Sequence, residues 1–258
     1  MPRRSANINR YVSIGLLTLM VCALFWPSGA LRGEDSTDQQ NPGDLERELT
    51  NLLRDGAANS TDVMRLLRLA GLYLDLGYGV YVDREQKLKA FQEGARVAKK
   101  ALDLRESSAD AHFLYAANLG SAADLEGLVS AALTIQKLKE HVHRVLELDE
   151  QNAQAHHMLG RMYEELPWVL GGDQEAAGEH LKKAVSLDSR YAPAGIDLAK
   201  WYLKHGQNLE AVRQLTRVVD TPPRTKRWIW ERIHRPEAQV LLRQLVGREN
   251  GARTSARP

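Results

Sequence analysis

The chain has 258 residues, of which 26% are charged and 43% hydrophobic, and its formal net charge is +2. This length can hold one or two domains with buried cores, and the composition is that of a folded protein rather than a disordered one. The low net charge and an aromatic share of 6% argue against a nucleic-acid partner, which would need a basic surface or a stacking platform.

The first 30 residues have the three parts of a secretory signal peptide. Three arginines precede an uncharged apolar run from Val12 to Trp26, and small residues permit cleavage after Ala30. We predict that residues 1–30 are a signal peptide and that the rest of the chain is periplasmic or otherwise extracytoplasmic. The alternative is an uncleaved anchor, in which residues 11–26 tether the chain to the inner membrane. This run is shorter than the roughly 20 residues that span a bilayer comfortably.

The remaining chain changes character near residue 44. Residues 31–43 are polar and have no apolar period, which predicts a flexible linker. From Asp44 onward the apolar residues recur at helical spacing, and no segment alternates as a half-buried strand does. The sequence therefore predicts an all-α fold.

Internal repeats are the strongest feature of this helical region. The segments that begin at Ser108 and Asn152 carry small and apolar residues in the same order. The tetratricopeptide unit of about 34 residues has a characteristic set of such positions. The last unit matches all of them in register: Leu198, Ala199, Tyr202, Gly206, Ala211, Leu215, Val218 and Pro223. Because such units bury their apolar faces only by stacking, we predict a tetratricopeptide-like helical solenoid over residues 44–223.

Two of the units have enlarged connections between their helices. One unit has ten extra residues, in an insertion from Gly120 to Lys137, and the next has five, in "ELPWVLGGD". The glycine pair Gly171-Gly172 has neither the preceding strand nor the GxxxxGK[ST] spacing of a phosphate-binding loop. We predict instead a turn in which both glycines supply positive φ angles and Asp173 caps the next helix.

The region after the last unit has two interpretations. In the first interpretation, residues 224–248 form a capping helix region. Four apolar residues of this region would cover the last repeat: Val240, Leu241, Leu242 and Leu245. The alternative is a segment that contacts a membrane surface, because Trp228 and Trp230 lie beside a basic run. Residues 249–258 predict a disordered tail.

No motif in the sequence is typical of a catalytic or metal site. GxSxG, SxxK and HExxH are absent, and neighbouring histidines on a helix do not face one another. His112 and His156 occupy equivalent repeat positions, as do His141 and His180, which favours a role in packing. We therefore predict no catalytic residue, no metal and no cofactor, with an enzyme as the weaker alternative.

Candidate binding residues lie on the first helices of the last two units, which line the concave face of a solenoid. The repeat template leaves six positions free to face a ligand: His157, Arg161, Glu164, Ile196, Lys200 and Lys204. We predict His157, Arg161, Lys200 and Lys204 as the binding residues, and Arg161 and Lys200 share one template position. We predict a short basic stripe that meets a carboxylate of a protein partner or a small solute. The alternative is a solvated face without a ligand.

Two families share the interrupted repeats. The segments "LYAANLGSAADL" and "LPWVLGGD" resemble the TatT-like T-components of tetratricopeptide-associated TRAP transporters, over roughly residues 66–223. The stretch "KLKEHVHRVLELDEQNAQAHHMLGRMY" resembles the repeats of the regulators of microtubule dynamics. The first resemblance implies a periplasmic protein with a pore-like cavity and a solute-binding protein as partner.

The sequence as a whole predicts a non-catalytic, extracytoplasmic tetratricopeptide protein that binds a partner protein or a small solute. The resemblance to TatT-like proteins adds the expectation of an accessory role in a TRAP-type transporter. The alternative function is a membrane-anchored structural scaffold of an envelope complex.

Overall fold

The structure is a computed structural model that describes residues 41–255, with side chains up to residue 245. Every regular element in this part of the chain is helical, which confirms the predicted all-α class. The predicted signal peptide (1–30), the alternative tether (11–26) and most of the predicted linker (31–43) lie outside the described residues. None of the described helices is long and apolar enough to span a bilayer.

A helix α1 (Pro42–Arg54) precedes four helical hairpins that follow one another along the chain. The first helices of the hairpins are α2 (Val63–Asp75), α4 (Ala109–Glu126), α6 (Ala153–Glu165) and α8 (Ala192–Lys204). The second helices are α3 (Arg84–Leu104), α5 (Leu128–Leu148), α7 (Gln174–Leu187) and α9 (Asn208–Asp220). Each pair packs together, and α2 contacts α4, α5 contacts α6, and α7 contacts α8. The hairpins therefore form a continuous solenoid, as predicted.

Polar side chains determine where most of these helices begin. Five of them accept a hydrogen bond from a backbone N–H in the first turn of α2, α3, α4, α6 and α7: Asp62, Asp83, Ser108, Asn152 and Asp173. These caps satisfy N–H groups that have no partner within a helix, and each contributes about 1 kcal/mol. The predicted cap by Asp173 is confirmed.

Small residues allow the helices of the third and fourth hairpins to approach closely. A Cβ atom on Gly160 would lie 2.8 Å from Cγ of Leu181, and one on Gly178 would lie 2.4 Å from Cζ2 of Trp201. Leu181 is fully buried, and Trp201 is 7% exposed. Side chains of α7 and α8 thus occupy the space that these glycines leave, which confirms the predicted role of Gly160.

The longer insertion is helical rather than a loop. Helix α4 continues to Glu126, and α5 begins at Leu128. Gly127 separates the two helices with a φ of 108°, a conformation that favours glycine. The extra residues therefore lengthen both helices of the second hairpin.

The shorter insertion forms a 3₁₀ turn, Trp168–Leu170, followed by Gly171 at a φ of 85°. Gly172 does not have a positive φ, so the prediction that both glycines supply this conformation is wrong for Gly172. A different constraint applies to it, because a Cβ atom there would lie 1.7 Å from the carbonyl oxygen of Leu166. The backbone of the turn leaves no room for a side chain at this position.

The last helix, α11 (Arg235–Ser255), packs on α9 and covers the end of the solenoid. Ala238 and Leu245 are buried in one cluster with side chains of α8 and α9, as a cap requires. Val240 is 43% exposed, so the predicted covering role of this residue is wrong. The helix continues to Ser255, past residue 248 where the predicted capping region ends.

The segment before α11 has a position that the sequence did not predict. It contains a short helix α10 (Arg227–Ile229) and a π-helical turn (Trp230–His234). We call residues 226–234 the strap. Trp230 is 3% exposed and donates a hydrogen bond from Nε1 to the carbonyl oxygen of Val218 at 2.8 Å. This burial contradicts the alternative in which Trp230 meets a membrane surface.

The strap connects the last repeat to the first. Lys226 forms an ion pair with Asp75 at the end of α2, and both side chains are largely buried. The ring of Trp228 packs on Gly79, where a Cβ atom would lie 2.6 Å from the ring. The two ends of the solenoid are therefore joined across its inner side.

Candidate functional site

The four predicted binding residues lie on two adjacent first helices, His157 and Arg161 on α6 and Lys200 and Lys204 on α8. Their exposure differs sharply. The side chain of His157 is 1% exposed and that of Arg161 is 12% exposed, whereas Lys200 and Lys204 are about half exposed. The structure thus brings the four residues together, but His157 is a buried residue and not part of an open surface.

Asp197 lies at the centre of this cluster and was missed by the sequence analysis. The Nε2 atom of His157 lies 2.8 Å from Oδ2 of Asp197, and Nε of Arg161 lies 3.6 Å from the same oxygen. The Nζ atom of Lys200 lies 3.3 Å from Oδ1. Asp197 takes the place of Leu114 and Met158 in the two preceding units, so a carboxylate where those units have apolar residues was the available signal.

The electrostatics keep Asp197 ionised and His157 neutral. Burial raises the pKa of Asp197, but Arg161, His157 and Lys200 outweigh this effect and hold the pKa well below its usual value. Burial also lowers the pKa of His157. With Nε2 donating to Asp197, its Nδ1 accepts from the hydroxyl of Tyr191 at 3.2 Å. Both ring nitrogens are engaged, so His157 has no site left to accept a substrate proton.

The outer part of the cluster also pairs each cation with a carboxylate. Arg161 bonds to Glu165, and Nζ of Lys204 lies 3.7 Å from Oε1 of Glu164. Lys200 reaches α11 as well, where its Nζ lies 2.8 Å from Oε1 of Glu237. The surface is therefore not the bare basic stripe that the sequence predicts.

We call this cluster the inner groove and define it by eight charged residues: Asp124, Arg161, Glu164, Glu165, Asp197, Lys200, Lys204 and Glu237. Five of them are carboxylates and three are fixed cations, so the groove has an excess of negative charge when all are ionised.

Several of the groove carboxylates are poorly solvated. Burial raises the pKa values of Glu164 and Glu165 above their usual value, although nearby cations oppose the effect. Burial raises the pKa of Asp124 to about 6, against the opposing charge of Arg161. The Oε2 atom of Glu165 is buried and has no hydrogen-bond partner among the described residues. These groups would gain from an additional cation.

The repeat-equivalent histidines form two matching pairs. The Nδ1 atoms of His112 and His141 are 2.7 Å apart, and those of His156 and His180 are 2.9 Å apart. Each pair joins the first and second helix of one hairpin, which agrees with the predicted packing role. Within the described residues, no group of three or more His, Cys, Asp or Glu side chains is arranged to hold a metal ion.

The fold places the chain among tetratricopeptide-like helical solenoids. The solved structure of TTC0263, a tetratricopeptide protein of Thermus thermophilus, superposes with a TM-score of 0.55 at 18% identity. The match covers 77% of this chain and 92% of that one. At this identity the likeness concerns the fold alone.

The family is shown by the sequence. The family model of the regulator of microtubule dynamics proteins 1-3 matches residues 34–166, about half of the chain, and the chain belongs to this family. The regulator of microtubule dynamics protein 1 of Bos taurus is 31% identical over 201 residues, which cover 71% of this chain and 62% of that protein. The regulator of microtubule dynamics protein 3 of Rattus norvegicus is 26% identical over 226 residues, which cover 76% of this chain and 48% of that protein. The chain thus spans less than two thirds of these relatives.

Proposed function

We propose that this chain is a non-catalytic tetratricopeptide protein that binds a partner protein through the inner groove, and that the bound segment of the partner is basic. The excess of carboxylates in the groove carries this proposal. Solenoid repeats are commonly used as concave protein-binding surfaces, and charge complementarity gives such surfaces specificity.

The state of the carboxylates supports a basic partner rather than an acidic one. Glu164 and Glu165 are partly buried beside one another, and their raised pKa values reflect the cost of their charges. An incoming lysine or arginine would offset that cost by adding a positive charge beside the two carboxylates. An incoming carboxylate would instead add to the negative charge.

A pull-down from an extract of the source cells tests this proposal. We compare the wild-type chain with Glu164→Gln/Glu165→Gln, which removes two groove charges while keeping the side-chain shape. The matched control is Glu85→Gln/Glu150→Gln, two exposed carboxylates that lie outside the groove and form no ion pair within residues 41–245. We expect the groove variant to lose partners that the control retains. Equal recovery of the same partners by both variants would remove the groove from the proposal.

The proposal also includes a compartment outside the cytoplasm and a role beside a transporter. We place the protein outside the cytoplasm because residues 1–30 have the pattern of a signal peptide. The similarity to TatT-like proteins suggests a periplasmic solute-binding protein as the partner, or a small solute as the ligand. Intact-mass measurement of the protein from the envelope fraction tests the compartment, with a mature start after Ala30 as the expected result. A start at Met1 would leave the anchor through residues 11–26.

A second candidate function is that of a membrane-anchored structural scaffold. Exposed apolar side chains in the two insertions favour it. Large apolar side chains are exposed in both insertions, among them Val129, Leu133 and Trp168 at 76%, 80% and 84%. Exposed apolar groups of this kind are typical of protein or membrane contact. Sedimentation of the chain with lipid vesicles, before and after Leu133→Ser/Trp168→Ser, separates this function from binding in the groove.

A further inference from the structure

A cavity lies beside the inner groove, and none of the eight charged residues that define the groove lines it. It has a volume of about 420 Å³ and lies between the beginnings of α6 and α8 and the segment Pro223–His234. This volume is within the range of cavities that bind small molecules, roughly 300–1,000 Å³. We call this cavity the end cleft.

Unpaired cationic and polar groups line the end cleft. Arg190 and Arg224 are exposed and form no ion pair with any described residue. The side chains of Gln154 and Thr225 likewise make no hydrogen bond within the described part of the chain. Asp188 is the only carboxylate in the lining, and its Oδ1 already accepts the backbone N–H of Arg190 at 2.9 Å. In the inner groove, by contrast, every cation has a carboxylate partner.

The backbone around the end cleft adds to its positive character. Helix α8 begins at Ala192 in the cleft wall, and its N-cap residue Tyr191 makes no side-chain cap. The N-cap side chain therefore accepts no hydrogen bond from the backbone N–H groups at the positive end of this helix. Lys226 also lines the cleft, at a φ of 53°, and it is the only described residue other than glycine with a positive φ. Such backbone strain occurs preferentially at functional sites.

One buried polar side chain in the lining is unsatisfied. His234 is 3% exposed, and its Nε2 atom has no hydrogen-bond partner among the described residues. Apolar residues complete the wall beside it, with Ile229 and Trp230 both almost fully buried. The end cleft thus combines donors for an anion with an apolar surface, the usual composition of a small-molecule site.

We infer that the end cleft binds a small organic oxyanion, which carries a phosphate or carboxylate group bonded by Arg190 and Arg224. Guanidinium groups match both oxyanions in planar geometry, and Thr225 and Gln154 are positioned in the lining to orient the ligand. The apolar wall favours an organic anion over a free inorganic ion. None of the residues that define the proposed partner-binding groove lines this site.

Ligand-dependent thermal unfolding of the full chain tests this inference, with three probes at equal ionic strength. Inorganic phosphate tests the oxyanion alone, phenyl phosphate adds an apolar ring, and benzoate replaces phosphate by carboxylate. Because a ligand that binds only the folded state raises the midpoint, we expect phenyl phosphate to raise it most at a given concentration. Sodium chloride at the same ionic strength should have no such effect.

Two variants of equal charge separate specific binding from a general salt effect. Arg190→Gln/Arg224→Gln should weaken the binding of phenyl phosphate by at least about tenfold, because it removes both guanidinium groups that bond the oxyanion. Arg54→Gln/Arg243→Gln removes two exposed arginines that lie outside the cleft and form no ion pair with a side chain that the structure describes, and it should bind as the wild type does. Circular dichroism verifies that all variants are folded. The inference would be overturned if the cleft variant showed the same rise in midpoint as the wild type. It would also be overturned if none of the three probes raised the midpoint of the wild type.

Discussion

Gly172 shows how one backbone contact constrains the shorter insertion. The sequence pointed to this residue for its φ angle, but the constraint is the carbonyl oxygen of Leu166, 1.7 Å from the position of a Cβ atom. We predict that Gly172→Ala lowers the free energy of unfolding by roughly 1–3 kcal/mol, because the turn must shift to admit even a methyl group.

The control for this prediction is Gly71→Ala in α2. A Cβ atom at Gly71 meets nothing within 4 Å, and the helical φ suits alanine. This change should stabilise the protein by roughly 0.5–1 kcal/mol through the lower entropy of the unfolded chain. Urea unfolding of the two variants measures both effects. Equal stability of Gly172→Ala and the wild type would mean that the turn is looser than the structure indicates.

At the scale of the helical elements, the two histidine pairs make hairpin packing sensitive to pH. Burial lowers the pKa values of His141, His156 and His180 below the usual 6.5. The folded state therefore binds fewer protons than the unfolded state below that value. The contribution of these histidines to the free energy of unfolding is therefore fully present above pH 6.5. It is lost as the pH falls below that value and through their lowered pKa values.

A double substitution isolates the pair between α6 and α7. We predict that His156→Gln/His180→Gln loses less stability between pH 7.5 and pH 5.5 than the wild type, because neither glutamine can take up a proton. Urea unfolding at the two pH values measures the difference. The same loss in the double variant and the wild type would show that the pair does not resist protonation.

The elements were largely predictable from the sequence, whereas the site was predictable only in part. Repeat spacing determines which apolar faces must stack, so hairpins such as α8 and α9 could be read from Leu198, Ala211 and Leu215 alone. The template also placed Arg161 and Lys200 on successive first helices, and they lie on α6 and α8. It could not reveal their partners, since an ion pair such as Lys200 with Glu237 depends on how α11 folds back, and no repeat describes that helix.

At the scale of the whole molecule, the strap turns a row of repeats into a closed arrangement. Its ion pair joins residues 151 positions apart in the sequence, Asp75 and Lys226, and the pair is largely buried. We predict that Lys226→Met lowers the free energy of unfolding by roughly 3–5 kcal/mol, because it leaves the Asp75 carboxylate buried without a partner. Urea unfolding measures this loss.

The double variant Asp75→Leu/Lys226→Met provides the comparison. It removes both charges while retaining apolar volume and the strained φ at position 226, so it should cost clearly less than the single variant. If the two variants are equally destabilised, the ion pair does not hold the strap in place, and the contact of Trp228 with Gly79 is the main connection.

Binding of defined peptides measures whether the inner groove is a surface for a basic segment. Fluorescence anisotropy compares a labelled lysine-rich peptide with the same peptide carrying glutamate in place of lysine. We expect the lysine peptide to bind more tightly and salt to weaken its binding. We also expect Glu164→Gln/Glu165→Gln to weaken its binding, whereas Glu85→Gln/Glu150→Gln should not. Preference for the glutamate peptide, or unchanged binding by the groove variant, would contradict this role of the inner groove.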